Sequence, residues 1–155
     1  MKHHYRRDTC RLCDGHDIEL VVELPPMPIG DSYVDVKCKN EVQEIYPLGI
    51  FWCRSCGQVQ INDVIDPEVL YSDFLYETSI SLGLVEHFQR FAKDTIVRLN
   101  FPKDSLVIDI GSNDGTFLRA FQNEGMRVLG IEPAYKIAKK ATESGIETQN
   151  TLFSA

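Results

Sequence analysis

At 155 residues the chain is long enough for about one domain of ~150 residues or for two smaller modules. Its hydrophobic fraction of 43% and charged fraction of 25% are those of a globular protein and not of a disordered one. The formal net charge of -7 argues against nucleic acid as a partner, because binding to a phosphate backbone depends on clustered lysine and arginine.

The sequence contains no run of about 18 apolar residues, and its start, "MKHHYRRDTCRLC", lacks the apolar core of a signal peptide. We therefore expect no membrane partner and a cytoplasmic location. The five cysteines, an odd number, favour metal binding in a reducing compartment over a disulfide framework.

Four of the cysteines form two C-x-x-C pairs, Cys10 with Cys13 in "CRLC" and Cys53 with Cys56 in "CRSCG". Such spacing lets one tight turn direct both sulfurs at one ion, and four thiolates complete the tetrahedral site that Zn²⁺ prefers. Buried structural cysteines or a redox pair are the alternatives, but "GIFWCRSCGQVQI" predicts a hairpin and not the strand-to-helix context of a redox motif. Four protein ligands leave no open coordination position, so the predicted zinc is structural.

The 39 residues between the two pairs are enough for a two- or three-stranded sheet. Within them, "IELVVELPPMPIGDSYVD" predicts an apolar strand followed by a proline-rich loop. Cys38 lies in a polar stretch and is interpreted as a free thiol, with a role as metal ligand as the alternative. His3 and His4 are interpreted as solvated residues near the terminus.

Two helices are predicted next. In "VIDPEVLYSDF", Asp66 suits the N-cap and Pro67 the first helical position. In "LVEHFQRFAKDTIVRL", apolar residues recur at spacings of three and four, which predicts an amphipathic helix. The intervening "YSDFLYETSISLG" is interpreted as a surface loop, with the alternative that its hydroxyl groups face a ligand.

From residue 103 the pattern becomes strand, loop, helix, strand, helix. "SLVIDI" is a continuous apolar run, typical of a central parallel strand. The order predicts half of a doubly wound, Rossmann-like fold that binds its ligand at the carboxyl ends of the strands. The predicted class is thus mixed α/β, with a zinc-binding β module at 1–65, connecting helices at 66–102 and the start of a nucleotide-binding domain at 103–155.

The loop "DIGSNDG" at the end of that strand indicates which ligand is bound. It has two glycines and not the three of G-x-G-x-x-G, which disfavours a nicotinamide-linked dehydrogenase. Asp109 and Asp114 would oppose a pyrophosphate but suit a ligand with a cationic end, such as S-adenosylmethionine. Glu132 follows Gly111 by 21 residues, near the spacing at which an acidic residue holds ribose hydroxyls. A tight turn without a ligand is the alternative.

Several segments, taken in order, resemble one family: "CRLC", "CRSCGQVQI", "DPEVLYSDFLYETSIS", "EHFQRFA", "VIDIGSNDGTFLRAF" and "VLGIEPAYKIAKKATESGI". The chain resembles the nucleotide-sugar C-methyltransferases of deoxysugar biosynthesis. They join a zinc-binding domain with two C-x-x-C pairs to a class I methyltransferase domain that depends on S-adenosylmethionine. The resemblance implies a cofactor site lined by Asp109, Gly111, Ser112, Asn113, Asp114, Gly115 and Glu132.

The resemblance also implies a reaction. Its substrate would be a nucleotide-linked 4-keto-6-deoxysugar, and Tyr76 would lie close to the reacting sugar. A base removes a proton beside the keto group, and the enolate attacks the methyl group of the cofactor, which requires stabilisation of the enolate oxygen.

Members of this family are longer than the present chain, and their candidates for the base lie outside the segments that match. We therefore expect a part of an enzyme, inactive alone and completed by a C-terminal half or a complementing chain. A stand-alone zinc-ribbon interaction module, docked on a partner through an incomplete nucleotide-binding fold, is the alternative.

Overall fold

The computed structural model describes residues 3–154. The chain forms two compact units, one ending at Leu70 and the other beginning at Tyr71. The division by function into 1–65, 66–102 and 103–155 stays a prediction.

The first unit is built of short strands. Those that the structure describes are β1 (His4–Arg6), β2 (Ile18–Met27), β3 (Tyr46–Cys53), β4 (Val59–Ile61) and β5 (Asp63–Ile65). An antiparallel sheet has the order β2-β3-β4. The predicted hairpin around the second cysteine pair is confirmed, since Trp52 of β3 pairs with Val59 of β4.

Strand β2 is longer than predicted. It continues through Pro25 and Pro26 to Met27, so the proline-rich loop was wrongly predicted at these residues. Proline has no N–H for a sheet ladder and is tolerated on an edge strand or at a bulge. Strand β2 is an edge strand, and its register with β3 shifts between Leu24 and Met27.

A second small sheet pairs β1 with β5. The interpretation of His4 as a solvated residue was wrong: its ring is half-buried, and its Nε2 lies 2.9 Å from Oδ1 of Asp63. Arg6 donates two hydrogen bonds to the same carboxylate. Burial opposes the charge of Asp63, but the bonds from Arg6 and His4 outweigh it and lower the pKa of this carboxyl.

Helices and parallel strands form the second unit. Its described elements, with the helix that leads into it, are α1 (Pro67–Tyr71), α2 (Leu84–Leu99), β6 (Leu106–Ile110), α3 (Thr116–Asn123), β7 (Arg127–Ile131), α4 (Tyr135–Glu143) and β8 (Thr148–Gln149). The predicted helices are confirmed, and Asp66 caps α1 by accepting the N–H of Glu68.

The core of this unit lies between α2 and α3, where Ala92 and Phe121 are buried and Phe88 packs on Phe117.

The three strands of this unit form a parallel sheet of order β6-β7-β8. The predicted mixed α/β class is confirmed. Strand β6 has only β7 beside it among residues 3–154, and its central position in a complete sheet stays a prediction. Its side chains Leu106, Ile108 and Ile110 are about half exposed.

No helix among residues 3–154 combines the length and the apolar character that are needed to cross a bilayer.

Candidate functional site

Each cysteine pair lies on a tight turn. The N–H of Asp14 donates to the carbonyl of Cys10, and the N–H of Gly57 donates to the carbonyl of Cys53. The residue after each pair has a positive φ, 55° at Asp14 and 81° at Gly57. Glycine adopts this conformation without steric cost, and aspartate tolerates it better than most residues.

These turns bring four sulfur atoms together. The Sγ atoms of Cys10 and Cys56 lie 3.6 Å apart, those of Cys13 and Cys53 lie 3.7 Å apart, and all four lie within 4.8 Å of one another. Zinc–sulfur bonds of about 2.3 Å give a tetrahedron with edges of about 3.8 Å, whereas a disulfide needs about 2.05 Å. The donor set therefore fits Zn²⁺. Cys38 is half-buried and lies outside the cluster.

The thiols of this cluster influence one another's ionisation. Burial disfavours the Cys10 thiolate, but the N–H groups of Leu12 and Cys13 and the neighbouring thiols lower its pKa to about 7. The N–H of Gln58 favours the Cys56 thiolate, but burial and the other three thiols raise its pKa to about 12. Four adjacent thiolates repel one another, and a bound divalent cation removes that repulsion.

Two buried amides support the first pair, and the sequence analysis did not identify them. Gln60 Oε1 accepts the N–H of Arg11 at 2.9 Å, and its Nε2 donates to Oδ1 of Asn62 at 2.7 Å. Asn62 Nδ2 then donates to the carbonyl of Arg7. The signal in the sequence is the alternation of polar residues in "QVQIN", which places Gln60 and Asn62 on one side of the strand.

The second group of candidate residues lies at the carboxyl ends of β6 and β7. Glu132 is 5% exposed, and its two carboxylate oxygens accept the N–H groups of Asn113, at 2.9 Å, and Ala134, at 2.8 Å. Each oxygen keeps a further lone pair for a ligand hydroxyl. Burial, together with the charge of Glu132, raises the pKa of Asp109.

Two adjoining cavities share Gly111 and Asn113. The first, of about 390 Å³, has Glu132 on one side and an apolar wall of Phe74, Ile131, Leu152 and Phe153. The second, of about 300 Å³, is lined in part by Asp109 and Phe117. An apolar cavity beside an acidic residue at a strand end suits an aromatic base attached to a ribose.

Backbone and side-chain details at this loop also fit a ligand. Gly111 has a φ of 79°, and no other atom lies within 4 Å of the place that a Cβ would take. Bare backbone can therefore meet a ligand there. Ser112 is 3% exposed, and its Oγ has no hydrogen-bond partner within the described part of the chain.

Asp114 and Gly115 line a different cavity, of about 350 Å³, together with Arg119 and Lys140. Gly115 has a φ of 77°, and a Cβ there would lie 3.0 Å from the side chain of Ile146. The structure thus places five of the predicted cofactor-binding residues at the first two cavities: Asp109, Gly111, Ser112, Asn113 and Glu132. The other two, Asp114 and Gly115, line the third cavity.

Tyr76 lies in a segment that is bound to the loop. Its carbonyl accepts a hydrogen bond from Asn113 Nδ2 at 2.9 Å. Its ring is 40% exposed, and its hydroxyl lies 2.6 Å from Oγ of Ser81. The loop therefore sets the backbone position of Tyr76, while its ring stays accessible.

Both a family model and a curated protein match this chain. Residues 10–71 match a family model described as "Putative zinc binding domain". The chain is also 31% identical over 149 residues to "C-methyltransferase NovU" from Streptomyces niveus, an alignment that covers 96% of this chain and 35% of that protein. It therefore spans about a third of the length of the curated relative that it matches. The predicted resemblance to a C-methyltransferase is confirmed, and residues 10–71 match a zinc-binding domain as predicted.

A solved structure, described as a "Putative methyltransferase from antibiotic biosynthesis pathway" from Anabaena variabilis ATCC 29413, is 28% identical to this chain. The match covers 41% of this chain and 26% of that one, with a TM-score of 0.35. A score of this size does not establish a common fold.

Proposed function

We propose that this chain is the zinc-binding and cofactor-binding part of an S-adenosylmethionine-dependent C-methyltransferase. The identity of 31% to a C-methyltransferase over 96% of the chain carries the proposal, since an alignment of that extent includes both compact units. The grouping of Glu132, Gly111 and Asp109 at the strand ends supports it.

The zinc ion would be held by Cys10, Cys13, Cys53 and Cys56. It would join the turn after β1 to the β3–β4 hairpin, and its contribution would be to folding, because four thiolates leave no position for a substrate. Thiolate ligands persist under reducing conditions, which supports the cytoplasm as the compartment.

S-adenosylmethionine would supply an electrophilic methyl group. Glu132 would accept hydrogen bonds from the ribose hydroxyls, and the apolar wall beside it would contact the adenine. Gly111 would allow close approach of the backbone, and Asp109 would attract the cationic end of the ligand. Ser112 and Asn113 would line the same site, and Asp114 and Gly115 would set the shape of the loop.

The acceptor would be a nucleotide-linked 4-keto-6-deoxysugar, methylated beside its keto group. Tyr76 is the candidate catalytic residue in this chain, because its exposed ring lies on a segment bound to the cofactor loop. The base that removes the proton would come from a C-terminal half or from a complementing chain, so this chain alone would be inactive.

The test is transfer of a radiolabelled methyl group from S-adenosylmethionine to a nucleotide-linked 4-keto-6-deoxysugar. The longer protein that contains this sequence should transfer the label, and exchange of the proton beside the keto group with solvent deuterium should accompany turnover. The isolated chain should do neither. A longer protein that binds the cofactor but leaves the sugar unlabelled would contradict the proposed substrate.

A second candidate is an interaction module that binds a partner chain through β6. Its support is the exposed apolar side of that strand, formed by Leu106, Ile108 and Ile110, together with the edge position of β6. Capture of a defined complementing chain without any binding of S-adenosylhomocysteine would favour this candidate over the enzyme.

A further inference from the structure

Three hydrogen bonds fasten residues 76–79, which we call the tyrosine segment, to the loop of residues 111–115. Asn113 Oδ1 accepts the N–H of Thr78, and Asn113 Nδ2 donates to the carbonyl of Tyr76, each at 2.9 Å. Asp114 Oδ2 accepts the N–H of Ser79, also at 2.9 Å. Each of the three bonds joins a side chain of the loop to the backbone of the tyrosine segment.

The polar atoms of these two side chains have few bonds left for a ligand. Asn113 Oδ1 also accepts the N–H of Asp114, and Asp114 Oδ1 accepts the N–H and the hydroxyl of Thr116. An amide oxygen has two lone pairs, and both of those on Asn113 are used. Most of the hydrogen-bonding capacity of the two side chains is therefore used within the protein.

Asn113 also contacts Glu132, the predicted ribose-binding residue. The N–H of Asn113 donates to Glu132 Oε2, while the side chain of the same asparagine holds the tyrosine segment. Asn113 has a φ of 50°, a conformation that asparagine tolerates better than most residues. An ion pair between Glu77 and Lys140 of α4 adds a further attachment.

The Asp114 carboxyl is ionised at neutral pH. Its partial burial opposes ionisation, but the hydrogen bonds from Thr116 and Ser79 outweigh that effect and lower the pKa of the carboxyl. Charge-assisted hydrogen bonds from backbone N–H groups are about twice as strong as neutral ones. The bond to Ser79 is thus maintained under ordinary conditions.

We propose that Asn113 and Asp114 are positioning residues that fix Tyr76 relative to the loop, and that Asn113 links the Glu132 carboxylate to the tyrosine segment. The link to cofactor binding depends on the proposed function, whereas the fastening itself does not. The prediction from the sequence, that both residues line the cofactor site, gains a second role: Asn113 lies at the first two cavities, and its side chain also holds the tyrosine segment.

The test is backbone amide hydrogen exchange at Thr78 and Ser79, measured on the zinc-loaded chain without any ligand. Asn113→Gly removes the side chain and keeps the left-handed conformation free of strain. It should speed exchange at Thr78 by about tenfold or more, while amides in the core of α2 keep their rates. The matched control is Asn100→Gly, since Asn100 also has a φ of 50° and lies exposed at the end of α2.

Asp114 supplies the second arm. Asp114→Ala should speed exchange at Ser79 by about tenfold or more, while amides in the core of α2 keep their rates. If the exchange rates at Thr78 and Ser79 in Asn113→Gly and Asp114→Ala match those of the Asn100→Gly control, these two side chains do not hold the tyrosine segment in place.

The link to Glu132 is tested by adding S-adenosylhomocysteine. It should slow exchange at Thr78 in the unaltered chain but not in Asn113→Gly, which lacks the side chain that joins the tyrosine segment to the loop. Equal slowing of exchange at Thr78 in the two proteins, both with ligand bound, would overturn the link. Failure of the unaltered chain to bind S-adenosylhomocysteine would instead count against the proposed function and against the link to Glu132. The exchange rates measured without ligand would still show whether Asn113 and Asp114 hold the tyrosine segment.

Discussion

Glu132 has two sets of interactions, one with the backbone N–H groups of Asn113 and Ala134 and one, under the proposed function, with the ribose of a ligand. Glu132→Ala would remove the acceptors of two N–H groups, so a loss of binding could follow from a disturbed loop. Glu132→Gln keeps one acceptor oxygen, replaces the other by an NH2 donor that cannot accept the second N–H, and removes the charge.

We expect Glu132→Gln to weaken S-adenosylhomocysteine binding by about 1 to 3 kcal/mol, the range for hydrogen bonds to a charged group. Isothermal titration calorimetry measures this directly. Glu147→Ala is a suitable control, because Glu147 is an exposed acidic residue on the same unit. An unchanged Kd in both Glu132 variants would remove this residue from the site.

Gln60 gives a second prediction at the scale of single residues. Gln60→Ala leaves the N–H of Arg11 and Oδ1 of Asn62 without the partner that they have in the structure, which should cost about 1 to 3 kcal/mol of unfolding free energy. Competition with a chromogenic chelator should show weaker zinc retention. Gln58→Ala is the control, since the Gln58 side chain bonds only the carbonyl next to it. Equal zinc retention in the two variants would contradict the support that we assign to Gln60.

The sequence identified residues whose role depends on residue type and local spacing. The four cysteines were found because C-x-x-C spacing is a local property of a turn. Gln60 and Asn62 were not, because their partners lie about 50 residues away in the chain. The side-chain bonds of Asn113 to the tyrosine segment were missed for the same reason.

At the scale of elements, the start of α3 depends on Gly115. Gly115→Ala introduces a Cβ at a φ of 77° and 3.0 Å from Ile146, whereas Gly125→Ala introduces one at a φ of 83° with no atom nearby. Both variants carry the conformational cost of about 1 to 2 kcal/mol, and only Gly115→Ala adds the packing cost of about 1 to 3 kcal/mol. Urea denaturation should therefore rank Gly115→Ala as the less stable of the two. Equal stabilities would show that Ile146 moves aside.

Elements with a long periodic pattern were predicted well. Helix α2 spans the predicted segment from Leu84 to Leu99. Strands β1, β5 and β8 have three residues or fewer, too short for a period of two to be recognised. The apolar run of β6 predicted a strand, which is confirmed. Its position in a complete sheet stays a prediction, because neighbours in a sheet are decided by distant parts of the chain.

At the scale of the whole molecule, zinc removal should affect the two compact units differently. The first unit has small sheets and few buried apolar side chains, whereas the second has a helical core around Ala92 and Phe121. Chelation should unfold residues up to Leu70 and leave the helices of the second unit in place. Circular dichroism and amide exchange, followed on adding a chelator and then Zn²⁺ or Mg²⁺, measure this. Recovery with Mg²⁺, or no change on chelation, would contradict a structural zinc site.

The central claim is that the loop between β6 and α3 belongs to a binding site for S-adenosylmethionine. The most direct measurement is calorimetric titration of the zinc-loaded chain with S-adenosylhomocysteine and, separately, with NAD. We expect saturable binding of S-adenosylhomocysteine at one site per chain and none of NAD at the same concentrations. Tighter binding of NAD, or no binding of S-adenosylhomocysteine by a folded chain, would contradict it.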